Sequence, residues 1–264
     1  MTPLIGNLLF PPVCVGCREI VRIPDFCREA PALCPACAKK WERETEERCG
    51  ICLQPVGQCT CVTDAMAAAH IPLFRKTVYY RHGTRDPIQN RMVYRIKAAP
   101  DRRTVRFFAG QLAPAVREVL NQNGWQVADC ALVWLPRSSE NRLSTGTDQA
   151  RALAKSLSKQ TGIPAVGLLG RVPHADREQK ELTPTERKKN AATAFRIQPR
   201  QALPTSTHLF LVDDIVTTGA SMAAAAKLLR RAKYTDLVAL AALSDDANRT
   251  VTERQPVIDI RKTR

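Results

Sequence analysis

The chain has 264 residues, of which 44% are hydrophobic and 25% charged. That is enough for roughly one to three domains and a sizeable core, and it excludes wholesale disorder. No uninterrupted apolar run reaches the ~18 residues of a membrane-spanning helix. The 40 Lys and Arg outnumber the 25 Asp and Glu, for a net charge of +15. The excess is uneven: residues 1–64 carry 7 basic and 8 acidic side chains, the remaining 200 carry 33 and 17. A field of that sign favours phosphates, nucleic acid or acidic proteins as partners, and it also serves simply to solubilise a surface. The opening residues 1–12 are apolar but lack a preceding basic residue and a small-residue cleavage pattern. They are expected to be a packing segment of a cytoplasmic protein rather than a signal peptide.

In chain order the first signal is cysteine. Nine of the ten cysteines lie between Cys14 and Cys61, and only Cys130 lies outside. Eight are paired: Cys14 with Cys17, Cys34 with Cys37, Cys49 with Cys52, and Cys59 with Cys61, leaving Cys27 over. A tight Cys-x2-Cys turn puts two thiolates on one side of the backbone, and a second turn completes a zinc tetrahedron. Gly16 helps the first turn to close. The 16-residue gap between Cys17 and Cys34 falls in the zinc-ribbon range. A disulfide framework would need an oxidising compartment, and a redox pair would not need four repeats. Two structural zinc sites are therefore expected, Cys14, Cys17, Cys34, Cys37 and Cys49, Cys52, Cys59, Cys61. A cross-braced arrangement, with the first and third pairs sharing a metal, stays open. Cys27 reads as a packed or spare thiol. So short a segment cannot be stabilised by burial alone, whereas structural zinc contributes on the order of 10–16 kcal/mol of coupled folding energy.

The rest of the chain alternates between strand and helix patterns. Residues 66–80 read as extended, with Val78, Tyr79 and Tyr80 as strand formers. Residues 87–96 and 103–120 have helical spacing of apolar positions, and 130–135 form a continuous apolar run of the buried-strand kind. A helix is expected over 147–160, stopping at Gly162, and a strand over 163–169. Residues 171–192 are polar and charged. A strand over 208–212, an alanine-rich helix over 219–232 and a strand over 237–243 follow, with a polar, peripheral tail after Ser244. This alternation predicts an α/β fold with a largely parallel sheet and helices on both faces.

One junction carries chemistry. The strand starting at His208 ends in Asp213 and Asp214; Thr217, Thr218, Gly219 and Ala220 form a short loop, and Ser221 opens a helix. Ligands of open α/β sheets bind at the carboxyl ends of strands. A helix N-terminus offers free amides and a positive dipole end to a phosphate. Gly219 permits close backbone approach, and the hydroxyls add donors. The adjacent carboxylates can accept hydrogen bonds from sugar hydroxyls. The alternative is a capped helix with solvated aspartates. The Gly-Lys-Ser/Thr signature of Walker loops and the G-x-G-x-x-G of dinucleotide folds are both missing.

The stretch Val212-Asp-Asp-Ile-Val-Thr-Thr-Gly-Ala-Ser221 resembles the phosphoribosyl pyrophosphate motif of type I phosphoribosyltransferases. Together with the cysteine pairs, Leu9-Phe-Pro-Pro-Val-Cys14 and the Leu182-x4-Arg187-x2-Asn190-x4-Phe195 spacing, the chain resembles the ComF family of competence proteins over residues 7–245. The resemblance implies a double zinc ribbon over 1–64 and a phosphoribosyltransferase-like domain over 65–264. It implies that Asp213 and Asp214 bind the ribose hydroxyls and that Thr217, Thr218, Gly219, Ala220 and Ser221 bind the 5-phosphate. Arg137, after Leu135-Pro136, falls at the pyrophosphate loop, where a guanidinium suits a diphosphate. Arg177, Lys180 and Arg187 fall in the family's mobile loop, and magnesium would arrive with the pyrophosphate.

There are departures. The family's Arg-Gly-aromatic-Asn-Gln stretch is replaced by Thr145-Gly146-Thr147-Asp148-Gln149, with Arg142 the nearby charge. Purine-salvage members carry an aspartate where Thr217 stands, so a carboxylate for acid–base help to a purine is missing. Two functions follow: a phosphoribosyl pyrophosphate binder or transferase with an unknown acceptor, or a DNA-uptake accessory protein with a sensing or relic site. The second would meet single-stranded DNA or a protein of the competence machinery. Aromatic residues, at 5%, are thin for a base-stacking platform.

Overall fold

The computed structural model describes residues 11–21, 30–81, 83–84, 87–98, 101–137, 148–172 and 194–245. The elements in chain order are α1 (Pro35–Glu46), α2 (Asp64–Ala67), β1 (Phe74–Tyr80), α3 (Ile88–Ala98), α4 (Arg102–Asn123), β2 (Cys130–Trp134), α5 (Gln149–Thr161), β3 (Ala165–Val166), β4 (Leu169–Arg171), β5 (Phe195–Ile197), β6 (His208–Val216), α6 (Ala220–Arg231) and β7 (Leu237–Asp245). Five strands form a parallel sheet in the order β1-β7-β6-β2-β3. The fold is thus mixed α/β, with a cysteine-rich segment ahead of the sheet that is compatible with a zinc ribbon. No helix among the described residues is long and apolar enough to cross a membrane.

Strand alternation sorts the core into two layers. Cys130, Leu132, Phe210, Val212, Val238 and Leu240 face α3, α4 and α5. Ala131, Val133, Leu209, Leu211, Ala239 and Ala241 face α6. Burying each large aliphatic or aromatic side chain is worth about 1.5–3 kcal/mol, so the apolar runs determine which strands are central. Local signals set the helix ends. Asp101 caps α4 by accepting from the Arg103 and Thr104 amides, and Gly124 closes it at φ 67°. Asp148 caps α5, and Gly162 ends it at φ 81°.

Several sequence expectations are corrected. Residues 66–80 are not extended throughout: Thr63 caps the short helix α2, and the strand begins only at Phe74. The strand expected over 163–169 is broken. Only Ala165 and Val166 pair with β2, and Gly167 follows so close to Trp134 that a Cβ would press on the ring at 3.0 Å. β4 then leaves the sheet and pairs antiparallel with β5. Strand β6 runs on to Val216, so the two aspartates lie within it rather than after it. Strand β7 includes Asp245, one residue into the expected tail, and the rest of that tail lies outside the described residues. Helix α1 was not anticipated, because only Cys37 and Trp41 of its polar sequence are buried.

The cysteine-rich segment shares the core of the sheet. Trp41 sits edge-on to Phe107 and Phe108, with ring centroids 4.8 and 5.7 Å away, and donates its Nε1 to Gln111 Oε1 at 3.1 Å. Residues 57–60 lie along the edge strand β1. The Phe74 amide donates to the Thr60 carbonyl at 3.2 Å and Arg75 donates to the Gly57 carbonyl at 3.1 Å. An otherwise open sheet edge is thereby covered.

Candidate functional site

The cysteines converge in two sets. The sulfurs of Cys14, Cys17, Cys34 and Cys37 lie within 4.8 Å of one another, and so do those of Cys49, Cys52, Cys59 and Cys61. The pairs therefore join in sequence, first with second and third with fourth, and the cross-braced alternative is excluded. Cys17 Sγ and Cys34 Sγ are 3.7 Å apart, close to the ~3.8 Å between sulfurs of a tetrahedral site with Zn–S of about 2.3 Å. Each set could hold a zinc ion. Cys27 lies outside the described residues.

Both knuckles share one backbone design. Cys14 N donates to Glu19 O and Arg18 N to Cys14 O; Cys49 N donates to Gln54 O and Leu53 N to Cys49 O, all at 2.8–2.9 Å. Arg18 and Leu53 take positive φ values of 75° and 60°. Gly16 has a second reason to be glycine: a Cβ there would meet Cys37 Sγ at 2.8 Å and Ile88 Cδ1 at 2.7 Å. Amides point at the sulfurs, Gly16 N and Cys34 N at Cys14 Sγ (3.3 and 3.2 Å) and Ile51 N at Cys49 Sγ (3.4 Å). Burial opposes the Cys14 thiolate, but the amides of Cys34, Cys17 and Gly16 outweigh it and lower that thiol to about 6. Cys37 is pushed up, chiefly by burial.

Sequence reasoning missed the most specific residue of the second set. Lys76, only 3% exposed on β1, donates its Nζ to Cys59 Sγ and to the Cys61 carbonyl, both at 3.2 Å. The hydrogen bond from Cys61, working against burial and joined by the Lys76 charge, lowers Cys59 to about 4. Its partner Cys61 is pushed up by the same bond and by burial. The available signal was the adjacent cations Arg75 and Lys76 inside a strand-forming run. Among the described residues no cation makes such a contact with a thiolate of the first set. There Arg95 donates to the carbonyls of Val15 and Gly16 (2.7 and 2.8 Å), and Arg103 to those of Val13 and Pro31 (both 2.8 Å).

At the carboxyl ends of β2 and β6 the expected sugar-phosphate residues come together in part. Leu135 N donates to Val212 O at 3.0 Å, which carries the β2–β6 pairing one residue past β2. Arg137 then reaches Asp214, Nη2 to Oδ2 at 2.9 Å, with both side chains largely buried. The Asp214 amide donates to Asp213 Oδ1 at 2.9 Å. Burial and the neighbouring Asp214 carboxylate push the Asp213 carboxyl well above the usual range. Thr217, Thr218 and Ser221 are exposed, and Gly219 is buried at φ 77°. The Ala220 amide is engaged by Thr218 Oγ1 at 3.3 Å. Gln149 turns inward instead, donating to the Ile96 carbonyl at 3.0 Å. Arg142, Thr145, Gly146, Thr147, Arg177, Lys180 and Arg187 lie outside the described residues.

No protein-family profile matches the chain. Among curated proteins it is similar to the DNA utilization protein YhgH of Salmonella typhimurium (strain LT2). The two are 26% identical over 220 residues, which cover 83% of this chain and 84% of that protein.

Proposed function

We propose that this is a ComF-type protein that binds phosphoribosyl pyrophosphate at the β6–α6 junction and acts in DNA utilization, such as uptake. The observation that carries the first half is the grouping of Arg137, Asp213 and Asp214 at adjacent strand ends beside a Thr-Thr-Gly-Ala-Ser loop whose Thr217, Thr218 and Ser221 are exposed. Two carboxylates suit a vicinal diol, a guanidinium suits a diphosphate, and the start of α6 suits a terminal phosphate. The Arg137–Asp214 ion pair would be remade on binding, because the diphosphate competes for the guanidinium as the ribose hydroxyls take up the carboxylate. Magnesium, carried by the diphosphate, would neutralise its charge. If an acceptor is present, the reaction is displacement at the anomeric carbon. Charge developing on the leaving pyrophosphate then falls to Arg137. The DNA half is supported by the similarity to the DNA utilization protein YhgH.

Calorimetry tests the site. Wild type should bind phosphoribosyl pyrophosphate with magnesium saturably. Asp213→Ala with Asp214→Ala should weaken it by about 100-fold or more, since each hydrogen bond to a charged group is worth about 1.5–3 kcal/mol. Inorganic pyrophosphate should not lose affinity, because it has no diol and the variant removes repulsion. Equal weak heats for both proteins would sink the sugar-phosphate reading. A non-catalytic role, with the junction as a sensor, is favoured by Thr217 standing where purine-salvage members have an aspartate. Binding without pyrophosphate release on screening acceptors would establish it.

A further inference from the structure

Outside this junction, a groove of about 440 Å³ opens between α4 and α5, at the end of α3. Its floor includes Ile96 and Val105, and its walls carry Arg102 and Arg106 from α4 and Lys155 and Lys159 from α5. All four cations are solvent-exposed, and no carboxylate is among the lining residues. Within each helix the two cations are four residues apart, so they stack on one face a turn apart. The helices are fixed to each other by Gln160, whose Nε2 donates to Arg106 O at 3.1 Å and whose carbonyl accepts from Arg117 at 3.2 Å. The result is two parallel rows of positive charge across an apolar trough.

We infer that this groove binds a single nucleic-acid strand through its phosphates, an inference that rests on the DNA half of the function proposed above. Isolated surface cations are ordinarily solvated, but here they repeat at regular spacing along both walls of a concavity. A phosphodiester backbone repeats its charge regularly too. A trough between two neighbouring helices, with cations on both walls, suits the one row of phosphates of a single strand, whereas a duplex presents its phosphates on a wide convex surface. The lining residues include no aromatic to stack on a base, so the contact is electrostatic and indifferent to sequence. Each phosphate neutralised on a single strand contributes about 0.7 to the slope of log K against log salt, so four contacts give a slope of about −3.

Fluorescence anisotropy of a labelled oligothymidylate across a salt series, with the full zinc-loaded chain, tests this. Lys155→Gln with Lys159→Gln changes two exposed side chains and should leave the fold and the sugar-phosphate heats intact. The variant should bind about tenfold more weakly at low salt, with a slope shallower by about 1.4. Unchanged affinity and slope would mean that the strand docks elsewhere, which overturns the groove and spares the DNA reading. No wild-type binding at low salt overturns both. Equal competition by duplex or by polyglutamate overturns the single-strand assignment in favour of a general anion surface or an acidic protein.

Discussion

The two cysteine centres begin alike and end differently. Each opens with the same knuckle, down to a positive φ at the residue after the second cysteine. The first is completed at the start of α1, by Cys34 as its cap and Cys37 in its first turn. It is attached to α3 and α4 by guanidiniums on backbone carbonyls and by the edge-on contacts of Trp41 with Phe107 and Phe108. The second is completed by Cys59 and Cys61 on a chain lying along β1, and there a buried ammonium touches a ligand sulfur directly. A Zn(Cys)4 centre carries two net negative charges, so with zinc bound Lys76 would offset one of them inside the protein. The same set of four cysteines is thus joined to the fold through its backbone carbonyls and by packing in one case, and by a charge on its own sulfur in the other.

The largest test removes each centre in turn. Cys14→Ser and Cys59→Ser should each reduce bound zinc from two ions to one, read by native mass spectrometry. Each should lose much of the on-the-order-of-10 kcal/mol that structural zinc couples to local folding. Cys59→Ser should cost more in urea unfolding, by about 3–5 kcal/mol, because it strands the Lys76 charge in the interior. Equal losses would erase the distinction between the centres.

A smaller effect is expected from Lys76→Met, and its sign splits. Loss of an outer-sphere partner typically lowers metal affinity by about 10–100-fold. Chelator competition should therefore show the second ion leaving earlier and the first unchanged. The metal-free protein should become more stable, because Cys59 takes up a proton once its cation is gone and a buried ion pair is exchanged for neutral groups. A drop in metal-free stability would mean that Lys76 works through packing instead.

What was legible in the sequence divides along the same line. The knuckles are local, so their cysteines could be read from spacing, and the sequential grouping expected from the Cys17–Cys34 gap is the one the structure shows; spacing alone left a crossed arrangement open, because how the pairs combine is not local. The apolar runs at Ala131–Val133 and Leu209–Val212 announced central strands, because burial on both faces leaves no polar positions. β4 and β5 were illegible, being three residues each and paired across a long sequence separation. At the candidate site, adjacency of Asp213 and Asp214 is visible in the chain, and the resemblance placed Arg137 beside them. Its ion pair with Asp214 depends on β2 lying next to β6, which only the strand order supplies. Lys76 escaped for the same reason: its partner is a sulfur brought in by another part of the fold.

The smallest expected effect joins the second centre to the sugar-phosphate loop. Two residues after Cys61, Thr63 packs against Gly219, where a Cβ would fall on Thr63 Oγ1 and lie 3.1 Å from Met66 Cγ. Gly219→Ala should therefore cost about 1–2 kcal/mol from its left-handed backbone alone, and more from that overlap. Thr63→Ala removes the cap of α2 and should cost about 1 kcal/mol by itself. In the Gly219→Ala background it relieves the overlap, so the double variant should be more stable than the sum of the single losses. A cycle that closes additively would leave backbone strain as the whole effect. The loop would then be independent of the segment that the second centre holds in place.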